Sequence, residues 1–139
     1  MRKLLEKYAY LFTMGGLLYV LIELAWRGRS HWTMFVLGGI CFVYLGLINE
    51  VMDWDVPLWR QALIGTAGIT LLEFLTGCVV NLWFGWNVWD YSRMPGNVLG
   101  QICPQYTALW IPVSIAGIML DDWIRYKRFG EARPHYQIV

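Results

Sequence analysis

The residues able to do chemistry in this 139-residue chain concentrate in one stretch, WNVWDYSRMPGN (Trp86 to Asn97), and in carboxylates upstream of it. Asp90, Arg93 and Asn97 are the groups there that could contact a ligand. Asp90 and Ser92 are equally suited to bonding nearby backbone. Met94-Pro95-Gly96-Asn97 has strong turn chemistry, because Pro presets one dihedral angle and Gly supplies a positive one. Trp86, Trp89 and Tyr91 are amphipathic rings that suit a membrane interface. Two readings therefore stand side by side: a lid over a site, or a folded cap held by its own side-chain-to-backbone bonds.

Glu73 raises the stakes, since it lies in the middle of an apolar run at 61–84. An ionisable group at the bilayer centre costs on the order of 3 kcal/mol on insertion scales, so its presence asks for a function. Glu23 lies one turn from Trp26 and nearer an interface. Arg27 stands at i+4 from it in the favourable order for a helical ion pair, which is the structural alternative. Glu50, near the end of its run, is placed to reach headgroups. Gly65, Ile69, Glu73, Gly77 and Asn81 follow i, i+4 steps and form one helical stripe; Gly15, Tyr19, Glu23 and Arg27 form another. Facing each other, with Gln101 and Gln105 as a third wall, these stripes would enclose a polar pocket beneath the Trp86–Asn97 stretch. The candidate ligand-binding residues are Glu23, Glu73, Asn81, Trp89, Asp90, Tyr91, Asn97 and Gln101. Two carboxylates sharing a pocket of low dielectric would leave one protonated near neutral pH, which suggests exchange of a proton for a cationic ligand. A lone Glu in each of two helices could equally serve as a neutral hydrogen-bonding group between helices.

The elements that must position these groups follow from composition. The chain is 58% hydrophobic, 17% aromatic and only 15% charged. Apolar runs at 8–26, 33–52, 61–84 and 101–120 approach the twenty residues that cross about 30 Å of hydrocarbon. The expected fold is an all-α integral membrane protein: one transmembrane domain over 1–139, four spans, and a folded cap or re-entrant loop between spans three and four. The N-terminal MRKLLEK imitates a signal peptide, but the run after it is too long and holds Glu23, so it reads as a retained helix.

Of the 11 Lys and Arg residues, eight (Arg2, Lys3, Lys7, Arg60, Arg125, Lys127, Arg128, Arg133) fall on the side of the termini, and Arg27, Arg29 and Arg93 on the other. The positive-inside rule then puts both termini in the cytoplasm, of a cell or inner membrane, and the Trp86–Asn97 loop outside. Trp26, Trp32, Trp54, Trp59, Trp83, Trp86 and Trp123 sit at span ends, as interfacial belts require. Gly15, Gly16, Gly38, Gly39, Gly46, Gly65, Gly68, Gly77 and Gly117 allow close helix approach in lipid. Pro104 and Pro112 should bend the fourth span or break its first turn. Cys41, Cys78 and Cys103 fall one per span without CxxC spacing and read as buried apolar thiols. GGLLYVLIE and GTAGITLLE share Gly-x7-Glu at matching places in spans one and three, a weak echo of a parallel repeat. The segment from Arg125 onward reads as a helix end and a frayed tail.

The stretch from Leu71 to Trp110 resembles a small membrane family labelled "putative ABC-transporter type IV", whose animal relatives are small multi-pass proteins. The resemblance rests on Glu73, Gly77, Asn81, the Trp89-Asp90-Tyr91-Ser92 box, Asn97, Gly100, Ile102 and Trp110. It is looser in the first half, through Gly15, Gly16, Glu23 and RGRSHW. Cys103-Pro104 departs from the family's pattern. The resemblance implies a permease-like protein without naming a substrate. No GxxxxGK[ST] occurs in the sequence, so any ATPase would be a separate subunit.

Three function classes follow. The first is a small transporter or permease-like protein with an outward polar pocket. Four helices barely enclose a path, so a homo-oligomer, a dimer, is expected with the lipid bilayer as its medium. The second is a non-transporting structural or regulatory subunit in which the same polar residues lock helix packing. A membrane enzyme is the weakest: His31 and His135 fall on opposite sides, and no Ser-His, Cys-His or HExxH arrangement can form. The sequence therefore predicts no enzyme, no cofactor, no metal and no nucleic-acid partner.

Overall fold

The computed structural model describes residues 2–28, 30–51 and 56–131, without the side chains of Arg27 and of 49–51. The expectations for the Glu23–Arg27 pair, Arg29, Glu50, Trp54, Arg133, His135 and the tail beyond Glu131 lie outside the described residues.

Four α-helices carry the described residues: α1 Arg2–Arg27, α2 Trp32–Val51, α3 Leu58–Gly77 and α4 Pro104–Phe129. A six-residue π-helix, Cys78–Trp83, continues α3. Among the described residues there is no strand, only an isolated antiparallel bridge between Val98 and Ile102. Arg2–Trp26, Leu58–Trp83 and Pro104–Phe129 are long and apolar enough to cross a membrane; the described apolar stretch of α2, Trp32–Ile48, is shorter. Two boundaries differ by more than three residues from those read in the sequence. α1 begins at Arg2 and α4 runs on to Phe129, because the charged residues at those ends are good helix formers and pack against one another. Pro104 is the first residue of α4, where a missing N–H costs nothing, and Pro112 lies inside the helix.

Glycine determines which helices touch most closely. A Cβ on Gly15 would strike Phe42 and the Gly38 carbonyl oxygen; one on Gly38 would strike Tyr19; ones on Gly16 and Gly39 would strike Phe35 and Phe12. α1 and α2 are therefore pressed backbone to backbone, α3 lies along α4, and α2 also touches both α3 and α4. α1 meets α4 through long side chains instead: Tyr10 against Phe129 and Tyr19 against Trp110, with ring centroids 5.7 and 5.8 Å apart. The core of Met34, Leu37, Cys41, Leu45, Ile69 and Ile118 sits where α2, α3 and α4 converge.

The echo between Gly15 and Gly65 does not extend to their surroundings. Gly15 faces Phe42 and Gly38 on α2, whereas Gly65 faces Leu45 on α2 and Ser114 on α4. At the helix ends Trp26, Trp32, Trp59, Trp83, Trp86 and Trp123 are exposed, as a belt of interfacial rings would be.

Candidate functional site

The residues from Phe84 to Cys103 fold into a cap over the end of the bundle where α1 and α3 finish. The π-helix starts this geometry. Its wider turn aims Asn81 inward, so that the Asn81 Oδ1 accepts the Val88 N–H at 2.7 Å and the Asn81 Nδ2 donates to Gln101 Oε1 at 2.8 Å. Such π turns recur at functional sites because they re-aim a side chain without ending a helix. Gln101 Nε2 donates to the Leu99 carbonyl at 2.9 Å, and Trp89 Nε1 donates to the Gln101 carbonyl at 3.0 Å. Gly77 makes this possible, since a Cβ there would lie 2.5 Å from Gln101 Oε1 and 3.0 Å from the Trp89 ring. Trp89 and Gln101 are buried and rest one helical turn outward of Glu73.

The outer half of the cap is tied by Asn97 and Asp90. Asn97 Nδ2 donates to the carbonyls of Met94 and Ser92, and its Oδ1 accepts the Gly100 N–H. Asp90 Oδ1 accepts the Ser92 N–H at 2.8 Å, and the Tyr91 N–H bonds the Gly100 carbonyl at 2.7 Å. Hydrogen bonds from the Ser92 backbone and hydroxyl, with a smaller contribution from Arg93, hold the Asp90 carboxyl below its ordinary pKa. Leu99 is held at φ 53°, next to Gly100 at φ 74°. A branched side chain in the left-handed region costs about 1–3 kcal/mol, and the bonds on either side of Leu99 maintain it.

Beneath the cap, Glu73 is 3% exposed, and its Oε2 accepts the Trp110 Nε1–H at 2.7 Å. Trp110 in turn packs on Tyr19. Tyr91 stacks on Tyr106 at 4.8 Å, nearly parallel. Burial, and then the carboxylates of Glu73 and Glu23, push the Tyr91 hydroxyl above its ordinary pKa. Tyr91 is thus the cap residue on which both carboxylates act, and it faces them as a neutral phenol.

The eight sequence candidates divide accordingly. Asn81, Trp89 and Gln101 are bonded to one another directly; Glu73, Glu23 and Tyr91 gather beneath them. Asp90 and Asn97 do not look down on Glu73. Asp90 is exposed, and Asn97 spends its amide on the turn, because short polar side chains satisfy the nearest backbone first. The stripes of α1 and α3 are not pressed together either: Tyr19 of α1 packs on Trp110 of α4, whose indole bonds Glu73. Gln105 is exposed and adds no wall.

Sequence reasoning did not find Trp110 as the partner of Glu73, nor a buried ionic cluster at the opposite end of the bundle. There Arg125 Nε lies 2.9 Å from Asp121 Oδ2, with the two side chains 5% and 0% exposed. Lys7 reaches Glu131 at 2.8 Å, and Arg125 lies 3.8 Å from the same carboxylate. Gly46 of α2 leaves the room that the Asp121 carboxylate fills. The i, i+4 spacing of Asp121 and Arg125 was the available signal, masked by its position past an apolar run.

A helical bundle with three membrane-length apolar helices, roofed at one end by a hydrogen-bonded cap over a buried carboxylate, is a membrane protein. Residues 9–131 match the family described as "Putative ABC-transporter type IV", and the chain belongs to that family. No curated protein and no solved structure matches it.

Proposed function

We propose that this protein is a small transporter-like membrane protein whose cap is the closed outer gate of a site centred on Glu73. The observation that carries the reading is the buried Glu73 carboxylate, mid-span in α3 and bonded to Trp110, with amide-bonded Asn81, Gln101 and Trp89 directly outward of it. A carboxylate so placed is expensive for a structural role alone, since an apolar residue would fill the space without the insertion cost. In this reading the ligand is a small cation that replaces a proton on Glu73, Glu23 and Tyr91 complete its shell, and Asp90 and Asn97 keep the gate folded. Both termini face the cytoplasm of an inner membrane, the chain works as a homo-oligomer, and any ATPase is a separate subunit. No catalytic chemistry is assigned to it.

A second reading has its own support. Asn81, Trp89, Asn97 and Gln101 all spend their hydrogen bonds within the chain, as residues of a plug that locks packing would. The two separate on Glu73→Gln in proteoliposomes. Gln keeps an acceptor for Trp110 and loses the charge, so a transporter retains its fold and loses proton-dependent cation flux. Unaltered flux would remove Glu73 from the mechanism. No flux in either protein, with lowered thermal stability in the variant, would establish the plug.

A further inference from the structure

At the end of the bundle opposite the cap, a surface cavity of about 330 Å³ is lined by Lys3, Glu6, Tyr10, Arg128 and Phe129. Lys3, Glu6 and Tyr10 follow i, i+3, i+7 and so occupy one face of α1, against which the last turn of α4 brings Arg128 and Phe129. The floor is aromatic, with Tyr10 edge-on to Phe129. The Arg128 guanidinium lies 5.7 Å from the Tyr10 ring centroid and 5.5 Å from that of Phe129, which holds it at the rim. The cavity's own carboxylate is already engaged, because Glu6 pairs with Arg2 at 3.2 Å. Among the described residues neither Lys3 nor Arg128 has a carboxylate within ion-pair distance.

We infer that this cavity binds the phosphate-bearing headgroup of an anionic phospholipid. A phosphodiester takes a bidentate contact from Arg128 and a point charge from Lys3, the combination that suits phosphate. A soluble phosphate shares that chemistry, but the surroundings favour a lipid. Leu4 and Leu5 are 53% and 66% exposed on the same turns of α1, Trp123 is 50% exposed on α4, and both helices are membrane spans whose ends meet here. Acyl chains can follow those apolar surfaces while the headgroup stays at the rim. The inference is independent of what the cap and Glu73 do.

The test uses the full chain in nanodiscs of phosphatidylcholine alone or doped with phosphatidylglycerol, with bound lipid counted by native mass spectrometry after release. The wild type should retain phosphatidylglycerol selectively. Lys3→Gln/Arg128→Gln should weaken that retention by about thirtyfold, two basic contacts at about five- to sixfold each. Arg60→Gln/Lys127→Gln removes the same charge outside the cavity and should leave most of the selectivity. Equal loss in both double variants would mean diffuse attraction and would overturn the site. Unchanged retention in the cavity variant would do the same. Displacement of the lipid by millimolar inorganic phosphate would reassign the cavity to a soluble ligand. Because all four side chains are exposed, misfolding is not expected, and circular dichroism of each variant checks it.

Discussion

Replacing Gln101 by Leu should loosen the cap, and the size of the effect follows from its contacts. Gln101 is 3% exposed; its Oε1 accepts from Asn81 at 2.8 Å and its Nε2 donates to Leu99 at 2.9 Å. Leucine of similar volume removes both bonds. Leu99 is 65% exposed, so water can replace the bond to its carbonyl, whereas the half-buried Asn81 amide is left without its acceptor. An orphaned buried donor costs about 1–3 kcal/mol, and half burial puts the expected loss at about 1–2 kcal/mol. Asn81→Leu should cost at least as much, because it also withdraws the acceptor that the Val88 N–H uses. The decisive quantity is the coupling in the double variant, where transfer and cavity effects of each leucine cancel. Side-chain hydrogen bonds in membrane proteins couple by about 0.6 kcal/mol on average and up to about 1.7. With both partners held by further bonds, this pair should reach about 1–1.7 kcal/mol. Reversible unfolding in mixed micelles of rising dodecyl sulfate content measures it. Additive losses, with a coupling below about 0.5 kcal/mol, would mean that the Asn81–Gln101 bond does not hold the cap shut.

Two further outcomes test other parts of the molecule. The Asp90 pKa is lower folded than unfolded, so its contribution is whole above about pH 4 and disappears as pH falls through the folded value. Protection of the amides over 90–100, measured against their intrinsic exchange at each pH, should therefore fall in acid in the wild type, whereas in Asp90→Ala it should already be low at neutral pH; equal profiles would show that Asp90 does not order the loop. At the other end, Arg125→Met should destabilise by about 3–5 kcal/mol by stranding the buried Asp121 carboxylate, and adding Asp121→Leu should recover most of the loss by the same unfolding assay.

The helices were legible because membrane-length apolar runs leave few alternatives, and the tryptophans show how far that legibility went. Of nine, seven were read as span-end rings. The remaining two, Trp89 and Trp110, turn inward to Gln101 and Glu73. Exclusion from the belt therefore separated the site's indoles from the rest, although it could not say what each bonds. Asp90 and Asn97 were misdirected for a physical reason. Spacing places a side chain on a loop, but local backbone competes for short polar groups, and that competition is settled only by the turn geometry. The meeting of Glu23 and Glu73 at Tyr91 depends on which helices pack closely. Glycines occur on every helix, and nothing in their spacing says that α1 presses on α2 rather than on α3.

On the gate reading proposed above, that packing also bears on which way the cap would open. The glycine contacts make α1 and α2 one unit, and α3 lies along α4. At the end bearing the termini, Lys7–Glu131 ties α1 to the residue after α4, while the Asp121–Arg125 pair fills the space left by Gly46 of α2. Separation there must break the Lys7–Glu131 contact and pull Gly46 away from the Asp121–Arg125 pair, which stays intact on α4. At the capped end, the contacts between the α1–α2 connection and the cap among the described residues are ring packing of His31 and Trp32 on Trp86, with Trp86 itself 46% exposed. Exposed aromatic contacts of this kind are worth about 0.5–1.5 kcal/mol each and need no ionic partner to be stranded. On that reading the two ends are unequal, and the opening expected is a lifting of the cap from the α1–α2 connection. That motion begins on the side from which Asn81, Gln101 and then Glu73 are reached in turn.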